Sequence, residues 1–305
     1  MTVLEAIQKS ADFLAKKGVE SPRLQTELLL AHLLKLPRMK LYLNFERALT
    51  SAETDTLREL VKRRGLREPL QHIVGSTSFC GLEIAVNRHA LVPRPETELL
   101  AECGWQFLST LNPQPSTCLD FGTGTGCIAI ALAVKCPAAK IVAADISAET
   151  LALAKENAAR NGVAERIEFV QSDGFAALTG RWGERTRKPK EDGAKDGSPG
   201  VSPHQFDLVI SNPPYIPSAE IPTLQPEVRD FDPRSALDGG VDGLDFYRLM
   251  ASQAAAFLKP GGKVMLEFGD GQAGAIRKIF ENEKWIVEAV KEDYSHRPRI
   301  LIAKR

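Results

Sequence analysis

From about residue 95 to the C-terminus, short β-branched runs alternate with helix-like segments, and this alternation leaves few architectures open. Strands joined through helices run parallel, so the pattern predicts a mainly parallel sheet covered by helices on both faces. The expected strands are TCLDFG, KIVAAD, RIEFVQSD, FDLVISN, GGKVMLEFG, WIVEAVKED and RILIAKR. Helices are expected between them, among them 147–160, which stops at Asn161-Gly162 as a helix C-terminus should.

The first seventy residues follow a different rule. Leu4, Ile7, Phe13 and Leu14 recur at roughly helical spacing behind Thr2 and Glu5, the two members of a capping box. Ser21 is expected to cap a second helix with Pro22 at its first position, and Thr50 with Glu53 to open a third. A small helical domain over 1–75 is therefore expected. The stretch that follows carries Gly75 and Gly81 between apolar pieces of β character and ends in the proline-stiffened LVPRPETE, which predicts a β-hairpin linker over 76–94. The α/β domain would then occupy 95–305. Within it, 184–204 is rich in charge, Gly and Pro and nearly free of large apolar residues, so it is expected to be a disordered surface insertion.

Composition excludes more than it selects. The chain holds 39 Lys and Arg against 39 Asp and Glu, so no global charge points to nucleic acid or an anionic membrane as partner. Residues 1–75 are mildly basic, with 13 Lys and Arg against 9 Asp and Glu, which reads first as a solvated surface. The five cysteines, Cys80, Cys103, Cys118, Cys127 and Cys136, form no CxxC pair. They are expected to be reduced residues of a cytoplasmic protein, and the scattered histidines suggest no metal site. The start MTVLEAIQKS lacks the apolar stretch of a signal peptide, and no segment approaches membrane-spanning length.

The chemistry concentrates at strand ends. LDFGTGTGC, 119–127, follows a strand and opens a helix, and Gly122, Gly124 and Gly126 let the chain turn sharply and bring backbone N–H groups to a ligand, with Thr123 and Thr125 between them. A tight strand-to-helix turn alone would also use glycines, and the GxGxG spacing differs from the dinucleotide GxGxxG. Asp145 ends the second strand nineteen residues after Gly126, where a carboxylate accepts hydrogen bonds from both hydroxyls of an adenosine ribose. Asp173 ends the third strand where an adenine amino group is held, and Gly174 leaves room for the ring. These features describe an adenosyl pocket and leave a nicotinamide cofactor open.

The fourth strand ends in ISNPPYI and decides for methyl transfer. Two consecutive prolines remove two N–H donors, so acceptors dominate the loop. A planar NH2 group fits with one hydrogen on the Asn212 side-chain oxygen and the other on the Pro213 carbonyl. Pro214 stiffens the turn, and Tyr215 offers a ring on which a flat amide or base stacks. Two acceptors on the N–H hydrogens favour charge building on a poorly nucleophilic nitrogen as it attacks.

GTGTG, an acidic end to the second strand, and NPPY after the fourth resemble the class I methyltransferases that act on planar exocyclic nitrogens. EPLQHIVGSTSFCG, LVPRPETELL, PEVRDFDPRSALDGGVDGLDFYR and DYSHRPRILIAKR narrow the resemblance to the HemK/PrmC family, peptide chain release factor glutamine N5-methyltransferases, over nearly the whole chain. The resemblance implies a Rossmann-like seven-stranded sheet and S-adenosylmethionine as cofactor. It implies cofactor contacts from Gly122, Thr123, Gly124, Thr125, Gly126, Asp145, Asp173, Gly174 and Asn212. It implies that Asn212, Pro213, Pro214 and Tyr215 bind the glutamine of a GGQ loop in class 1 release factors, with Asn212, Pro213 and Tyr215 catalytic. The helical domain becomes the candidate for docking the release factor, with no direct nucleic-acid partner. Gly174 departs from relatives with a bulky aromatic there, which leaves backbone as the adenine contact. Arg94, Glu96 and Glu98 fit either an arrangement of the linker around the cofactor or salt bridges between domains. Glu227 and Arg229 fit either a cover over the substrate or a structural ion pair, and Phe79 and Tyr247 read as packing residues. The rival readings are an N6-adenine nucleic-acid methyltransferase, whose substrate NH2 suits the same loop, and a non-catalytic cofactor-binding scaffold.

Overall fold

The computed structural model describes residues 1–111, 115–178 and 205–305, in two compact units. The segment 184–204 lies outside the described residues. One unit comprises Met1–Ser76, Val86–Arg88 and Thr223–Asp232, the other Thr77–Ala85, His89–Pro222 and Pro233–Arg305.

The first unit is helical: α1 (Val3–Lys16), α2 (Pro22–Leu34), α3 (Arg38–Leu41), α4 (Ser51–Gly65) and α5 (Leu70–Val74). Both expected capping boxes form: Thr2 accepts from the Glu5 N–H while the Glu5 carboxylate accepts from Thr2, and Thr50 and Glu53 repeat the exchange. Ser21 corrects an expectation, because it sits in the left-handed region at φ 47° and its side chain makes no cap bond. Pro22 at the first turn starts α2 without it. Val3, Ile7, Leu14, Leu29, Leu30 and Leu57 bury the shared apolar face. Buried Glu27 among them is satisfied by the Tyr42 hydroxyl, 3.0 Å and 3.1 Å from its two oxygens, and by Arg23. The chain returns to this unit much later, in a short helix identified below, where Glu227 lies against Arg64 and Arg67.

β1 (Ser76–Phe79), which apart from Ser76 belongs to the second unit, and β2 (Leu82–Ala85) form the expected hairpin. Its turn residues Cys80 and Gly81 both take positive φ, 51° and 78°, as a tight primed turn demands. The elements that follow are α6 (Pro95–Thr110), β3 (Thr117–Phe121), α7 (Cys127–Lys135), β4 (Lys140–Asp145), α8 (Ala148–Arg160), β5 (Ile167–Gln171) and β6 (Phe206–Ser211). The returning helix α9 (Pro226–Arg229) belongs to the first unit, and α10 (Asp245–Gln253), β7 (Leu258–Glu267), α11 (Ala273–Asn282), β8 (Ile286–Glu292) and β9 (Pro298–Lys304) complete the second.

Seven of these strands make one sheet in the order β5-β4-β3-β6-β7-β9-β8. β3 to β7 pair in parallel, and β9 runs antiparallel to both β7 and β8. The expected seven-stranded, mainly parallel sheet is present, with buried apolar side chains on both faces. The chain moves outward from β3 through β4 to β5, then returns to place β6 on the other side of β3. The carboxyl ends of β3 and β6 thus lie side by side at a topological switch point, where open α/β sheets bind ligands.

Candidate active site

The glycine loop leaves β3 between two neighbours. Gly122 and Thr123 donate backbone hydrogen bonds to the Ala144 carbonyl at 2.8 and 2.9 Å, which fastens the loop to β4. Gly122, Gly124 and Gly126 all have positive φ, 71°, 56° and 82°, so L side chains here would strain the turn. A Cβ at Gly124 would point into open space, whereas one at Gly126 would meet Ala154 at 3.1 Å. Gly124 therefore presents bare backbone outward, and Gly126 lets the start of α7 pack tightly.

Asp145, at the end of β4, accepts from the Gly124 N–H at 3.0 Å with one oxygen and from the Ser147 N–H at 3.1 Å with the other. Each oxygen keeps a second lone pair, so the carboxylate is oriented and still able to accept from a diol. Ser147 also caps α8 by accepting from the Thr150 N–H. Asp173 lies two residues beyond β5 and is exposed, and Gly174 takes φ 56° beside it. The sheet thus brings the loop, Asp145 and the Asp173–Gly174 pair to the same edge, at the ends of three adjacent strands.

Sequence reasoning passed over Asp120, one residue before the end of β3. It is fully buried, and its Oδ2 accepts from the Thr123 hydroxyl at 2.6 Å and the Ala129 N–H at 3.1 Å. Oδ1 is buried with no partner among the described residues. Burial pushes the Asp120 carboxyl up to about 7, against the lowering effect of those two bonds. An acidic, partly unpaired group under a cradle of bare backbone fits a ligand that carries positive charge, as a sulfonium amino-acid cofactor does.

NPPY follows β6. Ser211 is buried and donates its hydroxyl to the Phe121 carbonyl at 2.5 Å, joining the ends of β6 and β3. Asn212 donates its side-chain NH2 to the Thr97 hydroxyl at 2.9 Å, which leaves Oδ1 as the edge turned away from Thr97. Thr97 lies in the first turn of α6 and is hydrogen-bonded to buried Glu267 at the end of β7. Neither Thr97 nor Glu267 stood out in the sequence.

Tyr215 is held from several sides. Its carbonyl accepts from Gln272 Nε2 at 2.8 Å, and Gln272 Oε1 accepts from the Gly269 N–H at 2.9 Å. A Cβ at Gly269 would sit 2.9 Å from the Tyr215 ring, and one at Gly243 would sit 2.4 Å from the Tyr215 carbonyl, so glycine at both positions permits the close approach. Burial, reinforced by the charge of Glu267, pushes the Tyr215 phenol up to about 12. It stays neutral at ordinary pH and offers a ring face rather than a base.

The remaining candidates resolve individually. Glu98 accepts from the Cys80 N–H at 2.8 Å and so ties the hairpin turn to α6. Arg94 and Glu96 lie close enough to Glu267 and Tyr215 to act on their charge. Glu227 is a structural ion-pair partner: Arg64 and Arg67 reach it at 2.6 to 2.8 Å, while Arg229 pairs with its exposed neighbour Asp230. Phe79 and Tyr247 are fully buried, and the Tyr247 hydroxyl donates to the Glu267 carbonyl at 2.8 Å. All five cysteines are free thiols. Among the described residues no group of His, Cys, Asp and Glu is arranged to hold a metal, and no helix is long and apolar enough to cross a membrane.

Two family models match: the PrmC N-terminal domain over residues 5–75 and the methyltransferase small domain over 103–182. The chain is 41% identical to a release factor glutamine methyltransferase of Geobacter sulfurreducens, over 92% of this chain and 88% of the relative. It is 39% identical to the protein of the same description from Chlorobaculum tepidum, over 98% and 96%. It is 36% identical to that of Moorella thermoacetica, over 100% and 99%.

Proposed function

Because the chain belongs to the family of release factor glutamine methyltransferases, we infer that it transfers a methyl group from S-adenosylmethionine to the side-chain amide nitrogen (N5) of the glutamine in the GGQ loop of class 1 peptide chain release factors. The observation that carries the reading is the orientation of Asn212 beside the glycine loop: its NH2 is given to Thr97, so an acceptor oxygen is what it offers a substrate.

S-adenosylmethionine supplies an electrophilic methyl group on a cationic sulfur. Gly122, Thr123, Gly124, Thr125, Gly126, Asp145, Asp173, Gly174 and Asn212 are the residues assigned to hold it. Asp145 takes the ribose hydroxyls with its remaining lone pairs, and the bare backbone at Gly124 allows close approach.

Asn212 Oδ1 and the Pro213 carbonyl accept the two N–H hydrogens of the substrate amide, and Pro214 keeps that carbonyl in place. An amide nitrogen is a weak nucleophile because its lone pair is delocalised. Acceptors on both hydrogens stabilise the positive charge that grows on nitrogen during attack, and contacts of this kind contribute about 3 kcal/mol in comparable sites. The Tyr215 ring fixes the plane of the amide and excludes water. No strong base is required before attack, since the N–H becomes acidic only as the new bond forms.

Selectivity for a whole release factor needs more surface than one glutamine provides. The helical unit is assigned that docking role, supported by its mildly basic composition and by exposed Met39, Leu43 and Leu66. The substrate places the enzyme in the cytoplasm, where translation terminates.

Mass spectrometry of a release factor co-expressed with this chain tests the reading. One added methyl on the GGQ glutamine is the expected result. An unmodified release factor, with methyl transfer instead to adenine in a nucleic-acid substrate, would overturn it.

A further inference from the structure

We propose that Thr97 and Glu267 are positioning residues for methyl transfer, forming with Asn212 a one-way hydrogen-bond chain that dictates which edge of the Asn212 amide meets the substrate. The proposal rests on the functional reading above and deepens it. Its three members are far apart in sequence but adjacent in the sheet: Asn212 follows Ser211, which pairs with Leu266, next to Glu267. Thr97 bridges them from the first turn of α6.

The direction of the chain follows from counting protons. A threonine hydroxyl has one hydrogen to donate and lone pairs to accept with. Thr97 is hydrogen-bonded to the Glu267 carboxylate, which in its ionised form only accepts, so the Thr97 proton is committed to Glu267. The Thr97 oxygen is then available only as an acceptor, and Asn212 Nδ2 donates to it at 2.9 Å. Turning the Asn212 amide over would set its oxygen against an oxygen with no proton to give. The two faces of an asparagine amide have nearly the same shape, so without this chain nothing steric would choose between them. In the wrong orientation Asn212 would present donors to an NH2 group that is itself a donor.

Glu267 has features of a group kept for this purpose. It is 2% exposed, and its Oε2 is buried with no partner among the described residues. Burial pushes its carboxyl up to about 7, with the Thr97 hydrogen bond opposing the shift. In the ionised form both oxygens only accept, so above that value the Thr97 proton stays committed to Glu267. A buried carboxyl of this kind is costly, and an apolar side chain would pack the site more cheaply. Hydrogen bonds in series also polarise one another, which makes Asn212 Oδ1 a stronger acceptor for the substrate amide.

Four variants separate this role from a structural one. Thr97→Val keeps the shape and removes the hydroxyl, and turnover at saturating substrates is expected to fall about ten- to a hundredfold while S-adenosylmethionine affinity by calorimetry changes less than about threefold. Thr97→Ser restores the hydroxyl and is expected to turn over within about twofold of the parent. Should Thr97→Val fold poorly because Glu267 loses its donor, Thr97→Val with Glu267→Leu removes the stranded carboxyl too. That double variant is expected to fold and to remain as slow. In an Asn212→Ala background, Thr97→Val is expected to have no further effect on turnover, since no amide is left to orient, whereas a structural role would add its full cost there. Parental turnover in the folded double variant, or additivity with Asn212→Ala, would overturn the proposal. A parent enzyme that binds S-adenosylmethionine but leaves release factor unmethylated would instead overturn the functional reading.

Discussion

Gly269→Ala is the sharpest test of how the substrate platform is built. The new Cβ would lie 2.9 Å from Tyr215 Cδ2, 3.3 Å from Cε2 and 3.0 Å from Gln272 Oε1. Carbon atoms pack at about 3.6 Å, so the ring must retreat by about 0.7 Å or tilt. Gly269 is absent from the positive-φ glycines, so alanine does not strain the backbone and the whole effect is contact. Overpacking of this size costs about 1–3 kcal/mol of stability, and the low end is expected because the ring is only partly enclosed. The functional cost is proportionally larger, since misplacing a reacting group by about 1 Å reduces rate about a hundredfold. On the order of a tenfold loss in single-turnover methylation of release factor is therefore expected. S-adenosylmethionine affinity, measured by calorimetry, should stay within about twofold because the glycine loop is untouched. A single-turnover rate within twofold of the parent, in a folded variant, would show that Tyr215 does not set the plane of the substrate amide.

Three further outcomes are expected. Asp145→Ala should weaken S-adenosylmethionine binding by about 1–3 kcal/mol, and unchanged affinity by calorimetry would remove Asp145 from the site. Glu227→Ala leaves Arg64, whose side chain is 5% exposed, without its carboxylate, and should cost the helical unit about 2–4 kcal/mol, read as lost hydrogen-exchange protection in α4. Burial opposes ionisation of Glu227, but bonds from Arg67 and Arg64 outweigh it and hold the carboxyl below its usual range. The stabilisation is thus present above the ordinary carboxylate pKa and is lost as pH falls through the lowered value; equal acid sensitivity of parent and variant in α4 protection would contradict this. Glu267 has the opposite sign. With its folded pKa near 7 against 4.5 for an ordinary carboxyl, the native state binds the extra proton between those values, so stability declines by up to about 3 kcal/mol as pH rises through that window. Glu267→Gln should flatten the melting-temperature profile there, and an unchanged slope would refute the assignment.

What could be read in advance was local and periodic. The alternation of strands and helices, the two capping boxes and the hairpin turn depend on residues within a few positions of one another, and each appears as expected. The glycine loop and NPPY were legible because their glycines and prolines restrict backbone in ways few other roles require. The residues that orient these motifs were not. Thr97 reaches Asn212 across 115 positions, and neither a threonine in a helix's first turn nor a glutamate at a strand end is unusual in itself. Asp120 stands within LDFGTGTGC, yet only its burial distinguishes it. Ser21 failed as a cap: its backbone sits at positive φ, outside the extended region that an N-cap adopts, and its side chain makes no cap bond.

The return of Thr223–Asp232 to the N-terminal helices also sets when, during synthesis, the ion pair of Arg64 and Arg67 can form. These helices leave the ribosome first, yet the carboxylate that Arg64 and Arg67 share is encoded some 160 positions later. At about 5–20 residues per second that interval lasts roughly 10–30 s, during which Arg64 lacks Glu227 and keeps, among the described residues, Gln25 and the Glu68 carbonyl as hydrogen-bond partners. Every strand from β1 to β6 has been made before Glu227 appears. The apolar core of the helical unit is complete by Ile73, and the returning segment adds an ion pair to it. A nascent chain released just after NPPY would consequently hold a helical unit without its Glu227 ion pair and a sheet still lacking β7, β8 and β9.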